Sequence, residues 1–157
     1  MTSAPWETYS EQALLDLLLG DHDAARMMLD VAEVSHVYDD LIDGDKTVTP
    51  DKVHALVWKL LVSLPTNPFF TKHETVLRPL MIAGILNWQA ANQMEQSGSV
   101  EELRISHAIR YSIADMLTVS MVLLGGHEYA MKNARRARLL GQNDTWANYL
   151  SEHTHAD

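Results

Sequence analysis

Residues 21–45 read DHDAARMMLDVAEVSHVYDDLIDGD, and the reading of this stretch decides the fold. At about 100° per residue, Met27, Val31, Val34, Tyr38, Leu41 and Ile42 fall on one side of a helical wheel. Glu33, His36, Asp39, Asp40 and Asp43 fall on the other. One long helix is expected, with an apolar stripe toward a core and an acidic face opposite. Asp39 and Asp43 are four residues apart, His36 and Asp40 likewise, and Asp40 and Asp43 are three apart. Those spacings make the side chains helix neighbours, and like charges so placed repel. A hard divalent cation such as Mg²⁺, which takes oxygen ligands, would offset that repulsion. The alternative is an acidic face that water alone solvates.

Outward from this helix, the chain punctuates itself into further helices. A first helix is expected over 7–19, rich in leucine and ended by Gly20. Gly44 closes the acidic helix, and Asp45, Lys46 and Thr47 form a turn. Thr49 and Pro50 have the chemistry of an N-cap and first helical position, and Val53, Leu56, Val57, Leu60 and Leu61 follow at amphipathic spacing up to Pro65. Asn67-Pro68 starts a short turn of helix, and a longer helix carries Leu80 to Met94 with Pro79 early in it. Ser99 and Glu102 make a capping box for a helix over 100–124, stopped by Gly125-Gly126. Helices over 128–140 and 145–152 complete the chain, with a frayed tail. No alternating run marks a strand. The loops are short, so neighbours should pack antiparallel. A single all-α domain over residues 1–157, a bundle of six to seven helices, is the expected fold.

Composition narrows the function. The 157 residues include 21 acidic and 12 basic side chains, a net charge of −9, which disfavours nucleic acid and anionic lipid as partners. Without cysteine there is no disulfide, thiolate catalysis or cysteine-held zinc. The N-terminus lacks the pattern of a signal peptide, and the apolar runs fall short of the roughly 18–20 residues of a membrane span. A cytoplasmic location and no membrane insertion are expected.

A second polar stripe is expected on the helix over 100–124. Arg104, His107, Tyr111, Asp115 and Thr118 lie within about 80° of one another on a continuous wheel. Asp115 stands out as a carboxylate among Ile113, Met116 and Leu117, and burial there would require a cation, a metal or hydrogen-bond donors. The plainer alternative is an ion pair with an arginine of a neighbouring helix. Asn87, Ala91 and Glu95, spaced by four, form a third set, for which close helix packing is the simpler explanation.

Glu33-Val34-Ser35-His36-Val37-Tyr38-Asp39-Asp40-Leu41-Ile42-Asp43 resembles the first aspartate-rich motif, DDxxD, of the class I isoprenoid synthases, with the Glu and His that precede it in trans-prenyltransferases. The resemblance implies an isoprenoid-synthase-like bundle. It implies Mg²⁺ held by Asp39, Asp40 and Asp43, with Asp115 completing the site, and a prenyl-diphosphate-like phosphate ester as ligand. His36 and Glu33 would orient the ligands, Arg104 would contact phosphate, and His36, Arg104 and Tyr111 become the catalytic candidates. The second metal motif of that family is missing: Asn87, Ala91 and Glu95 have the spacing but not the hydroxyl. The chain is also short for that fold, which suggests a reduced bundle completing its site as a homodimer. Two other functions compete. One is a non-catalytic helical accessory or interaction protein of the kind phages or plasmids encode. The other is an all-α nucleotide pyrophosphohydrolase, although its ExxE and ExxD pairs are absent.

Overall fold

Six helices begin on a side chain that accepts a hydrogen bond from a backbone N–H three residues on: Ser10, Asp21, Thr49, Asn67, Ser99 and Thr145, at 2.8–3.4 Å. The computed structural model describes residues 6–154 apart from Asp45 and Asn143, so the expected turn residue Asp45 and the tail at 155–157 lie outside it. All regular structure among the described residues is helical. The elements are α1 (Glu11–Leu17), α2 (His22–Asp43), α3 (Pro50–Trp58) continued through a π-helical turn (Lys59–Ser63) into α4 (Leu64–Thr66), α5 (Pro68–Glu95), α6 (Val100–Ile109), α7 (Ile113–Gly141) and α8 (Trp146–Thr154). The π turn falls just ahead of Pro65, which has no N–H to return to Leu61.

The core gathers Leu14, Leu17 and Leu18 of α1 and its C-terminal edge with Met27 and Met28 of α2, Phe69, Phe70 and Leu77 of α5, and Met116, Leu117, Met121 and Leu140 of α7. α7 is a hairpin rather than a rod. Gly126 has φ 78° and ψ 177°, a backbone conformation essentially restricted to glycine, and the helix reverses there. The reversal brings Gly141 against Ala114, so closely that a Cβ on Gly141 would lie 2.7 Å from the Ala114 Cβ. The stop expected at Gly125-Gly126 is therefore real. α5 is likewise interrupted at His73, with φ −117° and ψ 17°, leaving a helical arm from residue 74 to 95 that contains Pro79.

Two expectations fail for identifiable reasons. The helix expected over 100–124 breaks at Arg110–Ser112, so residues before and after that turn no longer share one wheel. The stripe from Arg104 to Thr118 is consequently split. The second failure concerns α2. Of the expected apolar stripe, Met27 is fully buried and Val31 and Val34 are half-buried, but Tyr38, Leu41 and Ile42 are 42%, 45% and 57% exposed. Past Val37 the neighbours of α2 offer an indole N–H and a guanidinium, and it is Asp39 that meets them.

Between Val100 and Thr154 one window is long and apolar enough, by length and composition, to cross a membrane, contrary to the run-length expectation. That region is interrupted by the turn at Arg110–Ser112 and reverses at Gly126, and Ala114, Met116, Leu117, Ser120 and Met121 within it are buried in the bundle.

Candidate functional site

The C-terminal half of α2 lies against α5, α6 packs on α5 and α8 on α6, and polar side chains of these helices converge there. Three carboxylates near the C-terminus of a helix stand against its negative dipole end, so cations are needed. Arg110, at the C-terminal cap of α6, supplies one. Its guanidinium donates to Asp39 Oδ1 at 3.1 Å and also to Glu95 of α5. Trp88 Nε1 donates to the same Asp39 oxygen at 2.7 Å. Lys46, 3.3 Å from Asp40, supplies the other cation.

Glu95 is the hub of a second layer. Ser106 Oγ donates to it at 3.0 Å, the Tyr149 hydroxyl of α8 donates as well, and His153 Nε2 lies 3.6 Å from its other oxygen. Burial alone would raise the Glu95 pKa, but the Tyr149, Arg110 and Ser106 donors outweigh it and hold the carboxyl below its usual range. Burial also opposes charge on Arg110, and Glu95 and Asp39 again outweigh it, so the guanidinium is held charged more firmly than usual. The Tyr149 hydroxyl is pushed up to about 12, first by burial and then by the Glu95 carboxylate. His107 sits among the rings of Tyr111, Trp146 and Tyr149, and burial pulls its pKa below the usual value.

Beside this knot lies an open cleft of about 670 Å³, lined among others by Tyr38, Asp43, Trp88, Asn92, Glu95 and His153. Asn92 Oδ1 is buried there without a hydrogen-bond partner among the described residues. A smaller cleft of about 470 Å³ on the other side of α2 includes Tyr9, Asp30, Glu33, His36 and Lys59. In it Lys59 Nζ approaches Asp30 Oδ1 at 2.5 Å and Glu33 Oε2 at 3.2 Å. Burial works against the Lys59 charge, but these two carboxylates outweigh it and raise the pKa.

The residues singled out from sequence are thus placed apart. Asp39 belongs to the Arg110 knot, Asp40 pairs with Lys46, and Asp43 lines the cleft. Asp115 is not deep in the core: its side chain is 44% exposed and pairs with Arg138 across the α7 hairpin. Arg104 is exposed and pairs with Glu101 at 2.8 Å. His36 is exposed in the smaller cleft, and Tyr111 is half-buried in the turn after α6, its hydroxyl pKa raised by burial. Among the described residues no group of three or more His, Asp or Glu side chains is arranged to hold a metal ion. Ala91 fulfils the packing expectation: it is fully buried, and Ser106 Oγ donates to its carbonyl at 3.2 Å.

Arg110, Ser106, Tyr149 and Asp30 were not anticipated. The usable signal was charge in apolar surroundings: Arg110 and Glu95 border long stretches with few ionisable groups. Comparison of the chain with protein-family models, curated proteins and solved structures finds no match. The resemblance to isoprenoid synthases accordingly rests on the motif residues alone.

Proposed function

We propose that this chain is a non-catalytic helical interaction protein that works through its outer helix faces. One observation carries the proposal. The ionic groups around the acidic motif are paired with one another, while large apolar side chains stand in solvent on several helices. Trp58 and Leu61 around the π turn are 63% and 73% exposed, and Ile82, Ile85 and Leu86 on α5 are 55–59% exposed. Neither α3 nor the π turn buries a single residue. Exposed apolar patches beyond a few hundred Å² mark interaction surfaces. The test is the double substitution Trp58→Gln/Leu61→Lys. Side chains kept for a partner contribute little to the fold, so the melting temperature should hold and solubility should rise. A large drop in melting temperature would mean that these groups are core in solution, against the proposal.

A second reading is favoured by the cleft at the end of α2, which has Asp43 in its lining. There the chain is a reduced isoprenoid-synthase-like bundle of six to seven helices, and binds a prenyl-diphosphate-like ligand through Mg²⁺ on Asp39, Asp40 and Asp43. It requires Asp39 to exchange Arg110 for a metal ion.

A further inference from the structure

The second arm of α5 carries a face with no charge. Residues 79–94 contain no Asp, Glu, Lys, Arg or His, although much of this stretch is exposed. Thr75, Pro79, Ile82, Leu86, Gln89 and Gln93 stand at alternating spacings of four and three, and every one of them is exposed. That is the a and d spacing of a two-helix coiled-coil seam, with Ile82 and Leu86 as the apolar pair at its centre and uncharged residues at the other positions. Val76 and Ile85 flank the seam at 43% and 59% exposure. Tyr38 and Ile42 of α2 extend the apolar surface, because they share the cleft lining with Trp88 and Gln89.

We infer that this seam pairs with the α5 seam of a second copy of the chain, in antiparallel orientation. The inference rests on the interaction reading above and names its partner. Charge selects the partner. The chain carries a net charge of −9, so two copies repel unless their meeting surfaces are free of acid, and residues 79–94 meet that condition. Interface centres are depleted of charged residues in the same way. The seam offers no charge with which to select an ionic partner. Antiparallel pairing about the middle of the arm sets Ile82 against Leu86 of the other copy, Pro79 against Gln89 and Thr75 against Gln93. It also directs the end of one α5 that carries Lys72, with Arg78 already paired to Glu74, toward the acidic end of the other. There Asp43 shares the cleft lining with Gln93 and Gln96, and Glu101 and Glu102 open α6.

The test is sedimentation velocity on the full chain, with Ile82→Lys and Leu86→Glu as variants. Both positions are more than half exposed, so the variants should keep the wild-type melting curve. Wild type is expected at twice the chain mass, and each variant alone at the monomer mass. Mixing the two variants should restore the dimer, because Lys at 82 of one copy then faces Glu at 86 of the other. Wild type that stays monomeric at about 100 μM, weaker than most specific complexes, would overturn the inference. So would variants that remain dimeric alone, or a mixture that stays monomeric. A monomeric wild type that binds no Mg²⁺ with pyrophosphate would remove self-pairing only. Saturable binding of that pair to Asp39 would remove the interaction reading itself.

Discussion

Arg110 Nη2 lies 3.1 Å from Asp39 Oδ1, across 71 residues of sequence, and this contact decides what the acidic motif does in the fold. Asp39 is the first aspartate of the motif, and its charge is answered by a side chain of the same molecule. Arg110 is 13% exposed and serves Glu95 as well, so removing it leaves two carboxylates short of a cation, one of them largely buried. Arg110→Ala should therefore destabilise the chain by about 3 kcal/mol, the scale for breaking a buried pair from one side. Asp39→Asn keeps an acceptor for Trp88 and should cost only about 1 kcal/mol. Urea midpoints of the two variants check the order; equal losses would count against a structural role for the knot.

Asp30 and Lys59 make a second pair of this kind. Asp30 is 4% exposed, and Lys59 Nζ is its cation at 2.5 Å. Lys59→Met should cost about 3–5 kcal/mol by stranding the carboxylate. The double variant Asp30→Leu/Lys59→Met should recover most of that loss, because the buried carboxylate is gone and only Glu33, 54% exposed, loses its cation. A double-mutant cycle in chemical denaturation measures the recovery, and additive losses would contradict the pairing.

The pH dependence follows from His107 and Glu95, both with pKa values below their ordinary ones in the folded chain. For His107, burial favours the neutral ring, so the unfolded chain takes up the proton first as pH falls. Its contribution is complete above about pH 6.5 and is lost as pH drops toward the folded value. For Glu95 the contribution is complete above about pH 4.5 and is lost below it, as the carboxylate that Arg110, Tyr149 and Ser106 favour becomes protonated. Melting temperature should thus fall in two stages as pH drops from 7, the upper one below about pH 6.5 and the lower one below about pH 4.5. His107→Phe should flatten the upper stage and leave the lower one in place. An upper stage unchanged in that variant would assign the titration to another histidine.

Gly126 turns α7 back on itself with φ 78° and ψ 177°. Alanine there should cost about 1–3 kcal/mol through the backbone alone, since nothing lies within 4 Å of where its Cβ would stand. Thermal denaturation of Gly126→Ala reads the loss. An unchanged melting temperature would mean that the hairpin tolerates a second geometry.

Local signals carried most of the fold. Thr49, Asn67 and Ser99 cap the helices that their side chains announce, and Gly44 and Gly126 end helical runs where glycine was read as a stop. What a single-helix pattern does not contain is the identity of the neighbour. Tyr38, Leu41 and Ile42 continue the apolar spacing of α2, but the surface facing that half of the helix is made by Trp88 and Arg110, from residues far along the chain. The wheel over 100–124 failed for a related reason. No Gly or Pro marks the turn at Arg110–Ser112, yet there Arg110 reaches the α2 and α5 carboxylates, and Ala114 packs against Gly141. Asp115 then meets Arg138, the plainer of the two alternatives open to it from sequence.

The most direct test of a structural rather than metal-binding role for the motif is calorimetric titration of Mg²⁺ with pyrophosphate, each to about 10 mM, into wild type and Asp39→Asn. A ligand that bound the folded state at 100 times its dissociation constant would stabilise it by about 2.7 kcal/mol, so melting curves provide a parallel reading. Expected is no saturable heat and no shift in melting temperature for either protein. Saturable binding to wild type that disappears in Asp39→Asn would contradict the pairing of Asp39 with Arg110 as the motif's resting use, and would return the chain to the metal-dependent diphosphate reading.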